Sequence, residues 1–183
     1  MELNEAGRIA HWREYWDKDH AGSVMAKAHR RPTDLWLEEF IDIGNVGKKL
    51  SVYDDFVGRF GNIPDPELRE QVVRALFGKA LTLWDLERPD EELAVYDDIV
   101  TRFADAPEVQ LRVDAASALS NKTYRLGELG RHNEELAVYR DVVTRFGDDL
   151  DPDLREHVAS ALVSAGVTLG QLGRSEEELA AYD

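Results

Sequence analysis

The sequence predicts an all-α fold, a right-handed α-solenoid of antiparallel helix pairs stacked about three and a half times. Three observations predict it. EELAVYDDIVTRF at 91–103 returns as EELAVYRDVVTRF at 134–146 with eleven of thirteen positions identical, and EELAAYD at 177–183 opens a further copy. Tyr53, Tyr96, Tyr139 and Tyr182 stand 43 residues apart, as do Phe60, Phe103 and Phe146. Between these copies, leucines spaced by seven and eight residues (Leu68, Leu76, Leu83 and their equivalents) mark one face of a second helix.

In chain order, residues 1–31 fall outside the repeat. Ile9, Trp12 and Trp16 suit one face of a helix, the preferred reading, whereas alternation would place Ala10, Trp12 and Trp16 on one side of a strand. The array follows over 32–183, with unit boundaries near 64, 107 and 150 and a truncated last unit. Pro32-Thr33-Asp34 supplies a stop and cap for a short first helix near 34–43, carrying Leu37, Phe40 and Ile43, before a second helix near 47–60. In the full units helix A is expected over 66–86, 108–129 and 152–172. Asp65-Pro66 and Asp151-Pro152 pair a capping carboxylate with a proline at the first helical position. Gly130-Arg131 and Gly173-Arg174 end the later two copies with a residue able to turn left-handed, and Glu87-Arg88-Pro89 is expected to stop the first by its proline. Helix B follows over 90–103 and 133–146, with Leu93, Tyr96, Val100 and Phe103 on one stripe and paired acids at its start.

Composition narrows the function. With 22 basic and 37 acidic side chains the chain carries a formal charge of −15, which opposes binding to a phosphate backbone, so no nucleic-acid partner is expected. Residues 1–32 are near neutral, with six bases and five acids, and the remainder holds sixteen against thirty-two. The absence of cysteine removes disulfides, thiolate metal sites and a thiol nucleophile, and fits a reducing compartment. Without an apolar run of about 18 residues no membrane span is expected, and Glu2, Glu5, Glu14 and Asp17 occupy the place of a signal peptide's apolar stretch. The chain is expected to be cytoplasmic.

LGELGRHNEELAVYRDVV at 126–143 resembles the tetratricopeptide repeat, as does 169–183 and, more loosely, 83–100, so that the similarity spans roughly 33–183. The family's large first-helix residue falls on Leu76, Leu119 and Leu162, and its small residue on Ala80, Thr123 and Gly166. Its first-helix leucine is replaced by Lys79, Lys122 and Ala165, its second-helix alanine by Glu92, Glu135 and Glu178, and each unit is nine residues longer than the usual 34. Separately, LNEAGRIAHWREYWDKDHAGSVM at 3–25 is similar to the closing strand and tail of the SnoaL-like and limonene-epoxide-hydrolase group, small cone-shaped barrels that include polyketide cyclases and epoxide hydrolases. Gly7-Arg8-Ile9 matches a segment following a turn there, and Glu14 a place where an active-site acid can occur. One strand builds no pocket, so this likeness carries over no activity.

The tetratricopeptide resemblance implies an inner wall made from helix A. Transferred by position, it comprises Arg74, Phe77, Leu81, Trp84 and Asp85, then Ser117, Ser120, Tyr124, Gly127 and Glu128, then Ser160, Val163, Val167, Gly170 and Gln171. These positions vary between units where core positions repeat. Two readings stay open: a groove for a peptide or helix with an apolar anchor and a basic rim, or side chains packed between adjacent A helices. Histidines 11, 20, 29, 132 and 157 show no HExxH or close pair, so no metal and no cofactor are expected. Acid pairs such as Asp54-Asp55 and Asp97-Asp98 recur in register and are expected to be a solvated face paired with Arg59, Arg102 and Arg145.

No catalytic constellation is legible and the expectation is not an enzyme but a protein-interaction scaffold that binds a protein or peptide. The last unit breaks off inside helix B, so Leu162, Leu169, Leu172 and Leu179, together with Trp12 and Trp16, are expected to face a second copy in a homo-oligomer. The alternatives are a severed piece of a SnoaL-like enzyme fused to repeats, and a structural or engineered array without a ligand.

Overall fold

The computed structural model describes residues 46–174, which form helices joined by short turns, with no strand among them. Six helices succeed one another: α1 Val46–Phe60, α2 Pro66–Asp85, α3 Pro89–Phe103, α4 Val109–Glu128, α5 His132–Phe146 and α6 Pro152–Gln171. Lengths alternate between 15 and 20 residues, and each start lies 43 residues after its equivalent. The expected helix ends hold to within a residue or so, because caps and turns recur with the period. The segment 1–31, the helix near 34–43 and the final helix B lie outside the described residues.

The chain divides after Gln71, inside α2, into the compact units Met1–Gln71 and Val72–Asp183. In the first, α1 buries Tyr53, Phe56 and Phe60, and the rings of Phe56 and Phe60 are 4.8 Å apart at 52°. The start of α2 is fixed by Asp65, whose Oδ1 accepts from the amides of Glu67 at 3.0 Å and Leu68 at 3.1 Å. Such a cap is worth about 1 kcal/mol, since it satisfies amides with no carbonyl upstream.

In the second unit α3 packs on α4, α4 on α5 and α5 on α6, and the A helices α4 and α6 also meet. The repeated stripe explains this packing. Tyr96, Ile99, Val100 and Phe103 of α3 are buried, as are Leu111, Leu119 and Leu126 of α4 and Leu154 and Leu169 of α6. Each large apolar side chain removed from water contributes about 1.5–3 kcal/mol. Ala115, Ala116 and Ala118 on α4, and Ala161, Ala165 and Gly166 on α6, are also buried, and residues this small let helix axes approach closely.

Asp151 repeats the cap of Asp65, accepting from Asp153 at 3.0 Å and Leu154 at 3.4 Å. Glu108, in the equivalent place before α4, makes no side-chain cap. There the loop is held by Arg112, which donates from Nη1 to the Ala106 carbonyl at 3.0 Å and pairs with Asp149 at 3.2 Å. Asp149 sits below the usual carboxylate pKa range because the Asp151 amide donates to it, with Arg112 adding to the effect.

The turn after α2 falls at Glu87-Arg88-Pro89, and its backbone shows how each residue contributes. Glu87 takes φ 53°, the left-handed conformation that Gly130 and Gly173 take at 67° and 69°. All three ends close the same way, the next amide reaching back to Leu83, Leu126 or Leu169 and the left-handed residue's amide to Trp84, Gly127 or Gly170. Pro89 serves as the first residue of α3 instead. The turn bonds are backbone bonds, so they impose the conformation on whatever residue stands there.

The recurrent acids of helix B behave as expected. Arg59 meets Asp55 at 3.1 Å, Arg102 meets Asp98 at 2.8 Å and Arg145 meets Asp141 at 2.9 Å, each one helical turn apart. Pairs this exposed contribute about 0.3–0.5 kcal/mol.

Candidate functional site

The A helices carry two faces. Leu83, Leu126 and Leu169 are buried, whereas Leu81, Tyr124 and Val167, two residues earlier in each, are 64, 62 and 55 % exposed. Val163, one turn before Val167, is 59 % exposed. One apolar side chain at the equivalent position thus meets solvent in each described A helix. Arg74, Asp85, Ser120, Glu128 and Gln171 are exposed beside them, and Phe77, Trp84 and Ser117 are half-buried.

Trp84 and Tyr124 stack, with ring centroids 5.8 Å apart at 15°. The guanidinium of Arg125 lies 4.6 Å from the Trp84 ring centroid and pairs through Nη1 with Glu128 at 2.9 Å. Its Nε comes within 3.1 Å of Glu92 Oε2 without the N–H being directed at that oxygen, so the attraction is Coulombic. Cation–π contacts contribute about 0.5–2 kcal/mol according to how far the cation is desolvated.

Ser117 and Ser120 of α4 are joined to α6 by His157. Ser120 Oγ donates to the Ala116 carbonyl at 3.1 Å, which leaves it accepting from His157 Nδ1 at 3.1 Å. Nε2 is then the ring's acceptor and faces the Ser117 hydroxyl at 3.4 Å. The hydroxyls therefore fasten two A helices together, with Tyr124, Val163 and Val167 exposed beside them.

Beneath the strip lies a feature the acidic helix starts concealed. Glu92 and Glu135, which replace the alanine of the resembled family, are buried, while their neighbours Glu91 and Glu134 are exposed and bound by Arg88 and Arg131. Tyr96 donates to Glu92 at 3.2 Å and Tyr139 to Glu135 at 3.0 Å. The following A helix supplies a further partner, Arg125 for Glu92 and Thr168, donating at 3.2 Å, for Glu135. His132 Nδ1 also stands 3.0 Å from Glu135, at the position Pro89 occupies in the preceding unit. Burial raises the pKa of Glu92, with Arg125 and the Tyr96 hydroxyl opposing it, and raises those of Tyr96 and Tyr139, with their glutamates adding to the rise. The helical spacing of Glu92, Tyr96, Val100 and Phe103 was the signal for burial.

Lys122 replaces the family's leucine by reaching Asp97 of α3. Arg131 ties its turn to Asp90 at 2.8 Å, and Arg174 repeats the link to Asn133 at 3.0 Å. Of the residues expected to face a second copy, Leu162 is half-buried, Leu169 packs in the core with Leu136 and Ala165, and Leu172 is exposed. Leu179, Trp12 and Trp16 lie outside the described residues. Among the described residues no group of acids and histidines is placed to hold a metal, and no helix is long and apolar enough to cross a membrane.

Over the described residues these features define an all-helical architecture of recurring long and short helices, with buried glutamates at two of the joints. No protein-family model, curated protein or solved structure matches the chain.

Proposed function

We propose that the protein is an interaction scaffold, a tetratricopeptide-like solenoid of antiparallel helix pairs whose A helices hold a peptide or helical segment of a partner protein. The observation that carries this reading is the exposure of Leu81, Tyr124 and Val167 at equivalent positions of three A helices, each beside a buried leucine. A row of apolar side chains at a fixed period offers successive anchor points to one extended or helical ligand. The acidic balance of the chain favours a ligand with basic flanks, which fits a cytoplasmic interaction module.

The test is selection of displayed peptides on the immobilised full-length protein. Selected peptides are expected to pair apolar anchors with net positive charge. The triple variant Leu81→Ser, Tyr124→Ser, Val167→Ser should keep the wild-type circular dichroism and bind them at least about 100-fold more weakly. Equal binding by both proteins would remove the A helices from the interaction.

A further inference from the structure

Resting on that groove reading, we infer that the partner side chain anchored at the Trp84–Tyr124 pair is an arginine. The molecule already contains such a complex. Arg125 lies over the Trp84 ring while its nitrogens meet the carboxylates of Glu92 and Glu128, so this aromatic surface takes a guanidinium where carboxylates border it. The exposed ring of Tyr124 extends the surface to solvent. Asp85, adjacent to Trp84, and Glu87 are exposed and have no ion-pair partner among the described residues. The last turn of α2 holds no base, and the C-terminal end of a helix is its negative pole.

Asp85 lies one helical turn after the exposed Leu81 and follows Trp84 in sequence, so a ligand at this end of α2 meets both an aromatic surface and negative charge, which favours a cation, and a planar one gains stacking area that a compact ammonium does not. An uncharged aromatic or aliphatic anchor would desolvate Asp85 without compensating it. An anionic anchor would meet like charge. Arginine therefore fits this end of the strip, and the apolar positions Val163 and Val167 on α6 fit aliphatic anchors.

The experiment titrates the full-length protein into fluorescent twelve-residue peptides with leucine one helical turn apart and one variable position, occupied by arginine, lysine, citrulline or leucine. The arginine peptide should bind about tenfold more tightly than the citrulline peptide and several-fold more tightly than the lysine peptide. Tyr124→Ala and Asp85→Asn should each abolish most of that preference, and Tyr124→Phe should keep it. Equal binding of the arginine and citrulline peptides, or a preference that survives Asp85→Asn, would overturn the inference while leaving the groove intact. Failure of every peptide to bind would overturn both.

Discussion

Replacing Arg125 with threonine tests whether the buried glutamates hold successive units together. The substitution copies the next unit, where Thr168 occupies the equivalent position and donates to Glu135 at 3.2 Å. It differs in three respects: Pro89 cannot supply the donor that His132 supplies to Glu135, and the variant withdraws a cation from the Trp84 ring and from Glu128, whose places Gly127 and Gln171 take in the next unit. Glu92, buried beside Tyr96, then loses its cation. Stranding one partner of a buried pair costs about 3–5 kcal/mol, and a new hydroxyl bond returns about 1 kcal/mol, so a net loss of about 2–4 kcal/mol is expected at neutral pH. In a chain this size that lowers the melting midpoint by about 4–16 °C.

The loss should depend on pH. Burial raises the folded pKa of Glu92 above its ordinary 4.5 even with Arg125 present, and removing the cation raises it further. A carboxyl raised in this way stabilises the fold below its unfolded pKa, and that contribution is lost as pH rises through the folded value. Urea titrations followed by circular dichroism should therefore find the smallest gap near pH ~4, left by the lost Trp84 contact, and a gap widening toward pH ~8. Adding Glu92→Gln should recover much of the neutral-pH loss, because no charge is left stranded. A deficit independent of pH, or losses that simply add in the double variant, would refute the argument.

Two further outcomes follow from the helix ends. Glu87→Gly should stabilise the protein by about 1 kcal/mol in urea titration, since the left-handed conformation at this position strains a residue bearing a Cβ. Replacing Glu108-Val109 by the Asp-Pro pair found at 65–66 and 151–152 should add about 1 kcal/mol by capping α4, read as a higher melting midpoint.

Much of the fold was legible because local signals and long-range periodicity agree. Asp65-Pro66 and Asp151-Pro152 place two helix starts by themselves, and the spacing of Tyr53, Tyr96 and Tyr139 carries those boundaries to units with weaker signals, such as the uncapped α4. The left-handed conformation of Glu87 was not legible, since its signal is the match in position to Gly130, which side-chain preference obscures. The site was less accessible. Whether Tyr124 and Val167 pack or protrude depends on the space between α4 and α6, which His157, Ser117 and Ser120 occupy, and no local pattern encodes that. Glu92 and Glu91 read alike as acids at a helix start, yet they point to opposite environments, and only their phase relative to Tyr96 separates them.

The two buried glutamates also give the array an order. Units that look interchangeable in their B helices carry different fittings at the joints, proline with arginine at one and histidine with threonine at the next. Exchanging or deleting a unit would bring a histidine and an arginine to the same carboxylate, or leave it with neither. Near-identical modules thus fit best in one order, and that preference is written in the interior, away from the surface where the repeats look most alike.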